Sequence, residues 1–478
     1  MRRSFALTAA ICLATFAVPA TAGTIKNLTH PAPDGAVVTM LMTDGTVMAQ
    51  GFGETDFWKL TPDNTGSYVN GTWKQVASLP SGMAPYANAE SVLADGRLVW
   101  AGGEYNFGSF SFTNNSAIYD PLKDKWTDIT PDKGLLPFIG DSPSNVLPDG
   151  RFVIAEKFKE KLFAFDPKTM TWSELESRHK HDFNAEEGWI MLADGSFLIV
   201  DVKDHPNSER YIPSTGKWVD AGSTVVDLRG PQDCCGRCIQ YGPKNKCYDP
   251  PGETGASVLR PDGTVFSTGA APEGETHGHT AIYDPKTNSW KAGPDFPAGD
   301  DAFDTGAATL PSGNVLVGAS SGSLYEFDGT NLTRQSGSGF ALTVLPSGEV
   351  LLDGSAVYQP AGTYNQKWAP TITDSPASVA RGQTYQISGT QFNGVSQGAS
   401  FGDEFDSHSN YPMVRITNNS TGHVFYARTH DHSTMGVQTG KKPVSTSFDV
   451  PSGMETGASK IEVVANGIPS KSADITVN

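Results

Sequence analysis

Basic residues are in short supply in this chain, which carries 35 Lys and Arg against 52 Asp and Glu for a net charge of −17. A surface this acidic repels phosphate backbones and anionic lipid, which argues against nucleic acid and membrane surfaces as partners. Long hydrophobic runs are nearly as scarce. The single stretch, Phe5 to Val18, is too short to span a bilayer. With Arg2-Arg3 before it and Ala20-Thr21-Ala22 after it, residues 1–22 have the form of a signal peptide, which implies a secreted or periplasmic protein. Arg2-Arg3-Ser4-Phe5 also has the outline of a twin-arginine export signal. Only 18% of residues are charged, while Gly numbers 51 and Pro 32, the texture of a turn-rich, all-β extracellular protein. Cysteine is rare too, and apart from Cys12 in the leader it is crowded into one insertion as Cys234, Cys235, Cys238 and Cys247. In an oxidising compartment the plain expectation is two local disulfides stapling a long loop, although the same spacing would also suit a tetrahedral zinc site.

What the chain has in abundance is one short phrase. An apolar pair, a two-residue turn centred on Gly and an apolar strand recur at Gly45, Gly96, Gly150, Gly195, Gly263, Gly313 and Gly348, five times as Asp-Gly. Such turns between alternating apolar runs signal hairpins, because Gly tolerates positive φ. Hairpins repeated every 35–70 residues or so imply a propeller, and seven copies imply seven blades. A second phrase follows the first: Tyr119-Asp120-Pro121 leads to Trp126, Phe165-Asp166-Pro167 to Trp172, and Tyr283-Asp284-Pro285 to Trp290, with Tyr211 and Trp218 at the same spacing. These aromatics are expected to pack the outer halves of the blades rather than to form sugar platforms.

The propeller is placed at residues 24–368, with Trp368 closing the last outer strand and the segment before Gly45 completing the ring. From Ala369-Pro370-Thr371-Ile372 the texture changes, and short alternating strands such as Thr446 to Val450 and Lys460 to Val464 run to Asn478. That length suits one immunoglobulin-like sandwich, assigned to 369–478. The fold class is therefore an all-β chain, a seven-bladed kelch-type propeller followed by an immunoglobulin-like sandwich.

The inner strand of each blade should begin eight residues before its turn, on the opposite face and near the axis. Those positions are Ala36, Ala87, Asp141, Glu186, Thr254, Asp304 and Gly339. The next same-side position is small in most copies, which leaves an open funnel with Asp141, Glu186 and Asp304 converging at its mouth. Acids on a propeller rim are often merely solvated. Alternatively these three act as metal ligands or as a general acid–base set. Carboxylates crowded near an axis repel one another, so at least one pKa rises unless a cation sits between them. Loops of the same face hold His179-Lys180-His181 and His277-Gly278-His279, together with Tyr86, Asn88 and Tyr105. His-x-His on extended chain puts both imidazoles on one side, so His181 and His279 are candidate metal ligands as well as ordinary surface residues.

A secreted kelch propeller with such a C-terminal domain resembles the galactose oxidase and glyoxal oxidase family. The run from Phe448-Asp449-Val450-Pro451 to Ala465-Asn466-Gly467-Ile468-Pro469-Ser470 carries the likeness most specifically. The resemblance implies that a loop of the C-terminal domain delivers a copper-ligating His to the axis. Counting back from Phe448 puts that residue at His432 or His430, beside Arg428, which joins Tyr86, Asn88 and Tyr105 as an expected substrate contact. The rest of the family pattern is missing. A copper-radical site needs a Cys cross-linked to a Tyr and a Tyr-His pair at inner-strand starts, yet Ala36, Ala87 and Asp141 stand there and no Tyr-His dipeptide occurs. Tyr86 is one residue out of phase with these starts.

The leading expectation is a metal-assisted enzyme acting on a glycan or related small substrate, by hydrolysis or elimination, with zinc, manganese or calcium ahead of copper. A galactose oxidase-like copper oxidase with an altered site is the second. A non-catalytic propeller that binds a glycan or a protein is the third.

Overall fold

The Gly turn phrase folds the same way seven times, with φ between 78° and 93° at its glycines. The loop is one residue longer than the two-residue turn expected. Met42 N–H donates to Thr46 O at 2.7 Å and Gly45 N–H to Met42 O at 3.0 Å, and each later copy repeats the glycine bond. A three-residue loop ending in a left-handed Gly reverses the chain while keeping the strand twist. The Asp of the turn accepts a hydrogen bond from the backbone two residues on, as in Thr46 N–H to Asp44 at 3.0 Å and Arg97 N–H to Asp95 at 3.0 Å.

The computed structural model describes residues 22–231, 239–241, 246–248, 252–401 and 406–478, the two short internal pieces as backbone strands only. Each turn joins the two innermost strands of a four-stranded antiparallel sheet, and seven such sheets form the ring. The inner strands are Thr39–Leu41, Ala89–Val92, Ser144–Val146, Ile190–Met191, Ser257–Leu259, Ala307–Thr309 and Leu342–Val344, in blades 1 to 7. Thr24–Asn27 supplies the outer strand of blade 7 by pairing with Ala356–Gln359, which closes the circle. Trp368 is not in that strand. It lies in the 3-10 turn Gln366–Trp368 and covers the Gly313 turn of blade 6.

The Asp-Pro and Trp phrase builds the blade edges. Tyr119, Phe165, Tyr211 and Tyr283 each pack at 5.1–5.3 Å on the Trp seven residues on. The indole N–H then reaches the preceding blade: Trp126 donates to Ala77 O, Trp172 to Ile129 O and Trp290 to Ala221 O. These tryptophans therefore lock blade to blade, which matches their expected packing role.

Beyond Trp368 the strands pair with one another around a separate core that includes Ile387, Val414, Ile416, Phe448, Ile461 and Val463. Val424–His430 pairs with Met413–Asn418 at one end and with Pro443–Asp449 at the other, so it joins the two sheets of the sandwich. This unit sits on the turn face of the propeller: Thr429 N–H donates to Thr43 O, and Met435 N–H to Pro148 O. Its residues 393–401 and 406–411 enter the axis. Ala399–Ser400 adds a fifth strand to blade 6, Gln397 bonds Asn145 and Met191 N–H, and Ser407 and Tyr411 donate to carbonyls of Thr39 and Leu41. The channel is thereby plugged from below. Among the described residues no helix is long and apolar enough to cross a membrane.

Residues 1–21, which carry nearly all of the expected signal peptide, lie outside the described residues, as do Cys234, Cys235 and Cys238. Cys247 is placed by its backbone in the strand pair Ile239–Tyr241 and Lys246–Tyr248.

Candidate active site in the axial funnel

Asp141, Glu186 and Asp304 precede the inner strands of blades 3, 4 and 6, so all three stand at the funnel end rather than the turn end. The structure brings them together around a residue that register counting did not find. Lys157, in the loop after the second strand of blade 3, is wholly buried, and its Nζ contacts the carboxylates of both Asp141 and Glu186. The ammonium also lies 5.3 Å from the Phe112 ring centre and 5.6 Å from that of Phe158. It is the cation that relieves the carboxylate repulsion.

Two further carboxyls complete the group. Glu253 shares a hydrogen bond with Asp304 and also feels the charges of Glu186 and Lys157. Glu104, from the blade 2 loop, is hydrogen-bonded by Tyr105 and feels Asp141, Lys157 and Asp304. Burial, then the Glu186 charge, pushes Asp141 up to about 7 against the pull of Lys157. Burial and then Asp141 push Glu104 to about 7 as well. Burial raises Asp304, and burial together with Asp304 holds Glu253 well above the carboxylate range. Glu253 therefore keeps the proton the pair shares.

The set is layered. Asp141, Glu186 and Lys157 are buried, Glu104 is half-buried, Glu253 is half-buried with its Oε2 away from solvent, and Asp304 is exposed although crowded on its sides by protein. Asp304 also holds a left-handed φ of 49°, a conformation that costs a non-Gly residue about 1–3 kcal/mol and gathers at functional sites. Beside the acids runs an arc of rings. Tyr86 meets Tyr105, Tyr105 meets Phe110, Phe110 meets Phe112, and Phe112 meets Phe158, with centres 4.9–5.9 Å apart. Tyr86 is 38% exposed and Phe110 51%. Tyr86 is not on an inner strand, because Ala87 with φ 50° breaks the chain between Pro85–Tyr86 and Ala89–Val92. Pro85–Tyr86 instead pairs with Tyr105–Asn106, which pairs with Ser109–Phe110 to make a small sheet.

No family model matches the chain, and no curated protein matches it. Solved structures of similar overall shape include a fungal alcohol oxidase of the AA5 family in complex with copper, at 14% identity over 96% of this chain and 99% of the other, with a TM-score of 0.49. Another is streptogramin B lyase, at 10% identity over 72% of this chain and 100% of the other, with a TM-score of 0.47. The fold assignment rests on the strand pairing above.

Several expected site residues lie elsewhere. His430, His432 and Arg428 are on the turn face, with the eight residues from each carboxylate to its turn, roughly 25 Å of extended chain, between them. Arg428 bonds Asp449 at 3.1 Å and Asp95 O at 2.6 Å. His430 bridges Asp431 and Asp449 at 2.8 and 3.2 Å. His432 is buried, bonds Thr446 at 2.8 Å, stacks on Tyr411 and donates its backbone N–H to Ala94 O. Arg428 and His432 clasp the sandwich to the propeller, and His430 pairs within the sandwich. The histidine that the C-terminal unit does bring to the axis is His408, 3.2 Å from Gln397 and 3.5 Å from Asp406. Asn88, an expected substrate contact, is fully buried and bonds Glu90 at 3.1 Å.

The His179-Lys180-His181 segment turns the other way from expectation. Lys180 points in, with its Nζ 2.7 Å from Asp182, 3.2 Å from Glu209, 3.4 Å from Glu187 and 3.6 Å from Asp201, and His181 faces solvent. The three buried acids Asp182, Asp201 and Glu209 are spaced as for a metal, but Lys180 already supplies the positive charge. Among the described residues Glu275, His277 and His279 form the other such group, and it contains the expected ligand His279.

A copper-radical centre does not fit these residues. The inner-strand starts offer carboxyls gathered on Lys157, with neither the thiol nor the Tyr-His pair.

Proposed function

We propose that this chain is a secreted propeller enzyme that hydrolyses a neutral glycan by general acid–base chemistry in the axial funnel. The observation that carries the reading is the layered carboxyl set: five acids from separate loops surround one buried ammonium, Glu104 and Asp304 open to solvent, and Glu253 backs Asp304. A carboxyl near pKa 7 is protonated often enough at neutral pH to act as an acid, and an ionised neighbour serves as the base. Glu104 donates its proton to the leaving glycosidic oxygen, held in place by Tyr105. Asp304, relieved of the shared proton by Glu253, takes a proton from the attacking water. Asp141, Glu186 and Lys157 form the floor of the funnel; burial, and then Asp141, raise the Glu104 pKa, and Lys157 fills the place expected for a divalent cation.

The substrate class follows from the walls. Exposed Tyr86 and Phe110 offer flat apolar faces to sugar rings, and carboxylates accept hydrogen bonds from hydroxyls. The same carboxylates repel uronates and sulfated sugars. The test is turnover of a panel of neutral polysaccharides and aryl glycosides by the natural protein and by Glu104→Gln and Asp304→Asn. Each variant should lose about 10²–10⁴ in kcat while still binding glycan. Turnover untouched by both substitutions refutes the assignment, and glycan binding without turnover across the panel makes the funnel a binding site only.

A further inference from the structure

We infer that the blade 5 loops form a second, independent site for a divalent transition-metal ion of the zinc class, with Glu275, His277 and His279 as ligands and Asp295 as the carboxylate that orients His279. The donor atoms of Glu275, His277 and His279 all lie within 4.8 Å of one another. A tetrahedral ion with bonds of about 2.0–2.2 Å holds its donors about 3.4 Å apart, so closing the set takes shifts of little more than 1 Å. Glu275 is largely exposed and His277 partly so, leaving both side chains room to make that shift.

His279 is already arranged as a ligand. Its Nε2 faces Glu275 at 2.9 Å, while its Nδ1 meets Asp295 at 2.8 Å. A metal-bound imidazole usually donates its other N–H to a carboxylate, which fixes the tautomer and strengthens the metal-binding nitrogen. His277 stands alongside with ring centres 5.2 Å apart and its Nε2 3.8 Å from Asp295. Three protein ligands leave a fourth position for water or a substrate group. Nitrogen and carboxylate donors together favour zinc and its neighbours over calcium.

The backbone holds this arrangement before any ion arrives. Gly299 N–H donates to Thr276 O at 2.6 Å, Gly278 N–H to Asp300 O and Phe296 N–H to Gly278 O, both at 3.0 Å. Gly278 is required for that braid, since a Cβ there would stand 2.3 Å from Gly269 O. The second of these loops runs on to Asp304, so an ion here would stiffen the segment that carries a funnel residue.

The competing state is a protonated His279 between two carboxylates, and it binds no metal. Full-length protein stripped with chelator is titrated with Zn²⁺ by calorimetry and with Co²⁺ by visible absorption, alongside His277→Ala, His279→Ala and Asp295→Asn. One ion per chain should bind the natural protein through nitrogen and oxygen donors. Its affinity should fall at least 100-fold in His279→Ala and about 10–100-fold in Asp295→Asn. Thermal melting of the metal-free proteins checks folding, and His277→Ala, the more exposed change, keeps the test valid if His279→Ala is unstable. Binding that is absent, carried by thiolate absorption, or equal in the natural protein and both histidine variants overturns the inference. Glycan hydrolysis by the Glu104 and Asp304 variants is read separately, so either idea can fail alone.

Discussion

Replacing Lys157 with Met should destabilise the protein more at pH 8 than at pH 5. In the native fold its ammonium touches Asp141 and Glu186 and is wholly buried. Asp141, at about 7, is raised above its unfolded value of 3.8, so the folded state favours its protonated form. That contribution is complete below about pH 4 and is lost as pH climbs to about 7. Removing the ammonium removes the one influence pulling the carboxyl down, which moves its pKa higher and deepens the loss above pH 7. Stranding a buried charge this way costs about 3–5 kcal/mol. At pH 5 Asp141 is largely protonated, so the cost shrinks to the ammonium's contacts with the Glu186 carboxylate and with the Phe112 and Phe158 rings, the rings supplying about 1 kcal/mol. An unfolding entropy of about 2 cal/mol/K per residue makes each kcal/mol worth about 1 °C in a chain this long. Scanning calorimetry should therefore show Tm falling by about 3–5 °C at pH 8 and by less at pH 5. Equal drops at the two pH values, or no drop at pH 8, would refute the charged-floor account.

Burial holds His432 at about 3, below its unfolded value of 6.5, so the unfolded state takes up the proton and stability falls as pH drops from about 6.5 toward 3. His432→Gln should flatten that acid limb in urea melts taken between pH 6.5 and 4, and an unchanged slope would assign the limb to other groups. Gln397→Leu removes the acceptor of the buried Met191 N–H and the donor to Asn145, and should cost about 1–3 kcal/mol by chemical denaturation without altering glycan turnover. Copper-loaded protein should show neither a tyrosyl-radical absorbance nor peroxide release on galactose, glyoxal or simple alcohols, because the inner-strand starts lack the thiol such a centre needs.

What the sequence determined by itself is whatever a blade decides locally. The glycine turns, the aromatic pairs ending in Trp126, Trp172, Trp218 and Trp290, and the funnel-end register of Asp141, Glu186 and Asp304 follow from hairpins whose partners are close in the chain. Hairpin geometry and strand alternation set these without reference to the rest of the ring. The tertiary structure alone decided which charges meet. Nothing local in Glu156-Lys157-Phe158-Lys159 marks a buried charge, and Lys157 is buried only because strand starts from neighbouring blades converge on it. His430 and His432 were placed at the axis by counting back from Phe448, but Val424–His430 lies across the Gly45 and Gly96 turns, which turns them to the opposite face. The axis is plugged instead by the segment around Gln397 and His408, whose contact with Asn145 spans 252 residues. No local pattern encodes a contact of that range, because it exists only after both units have folded and docked.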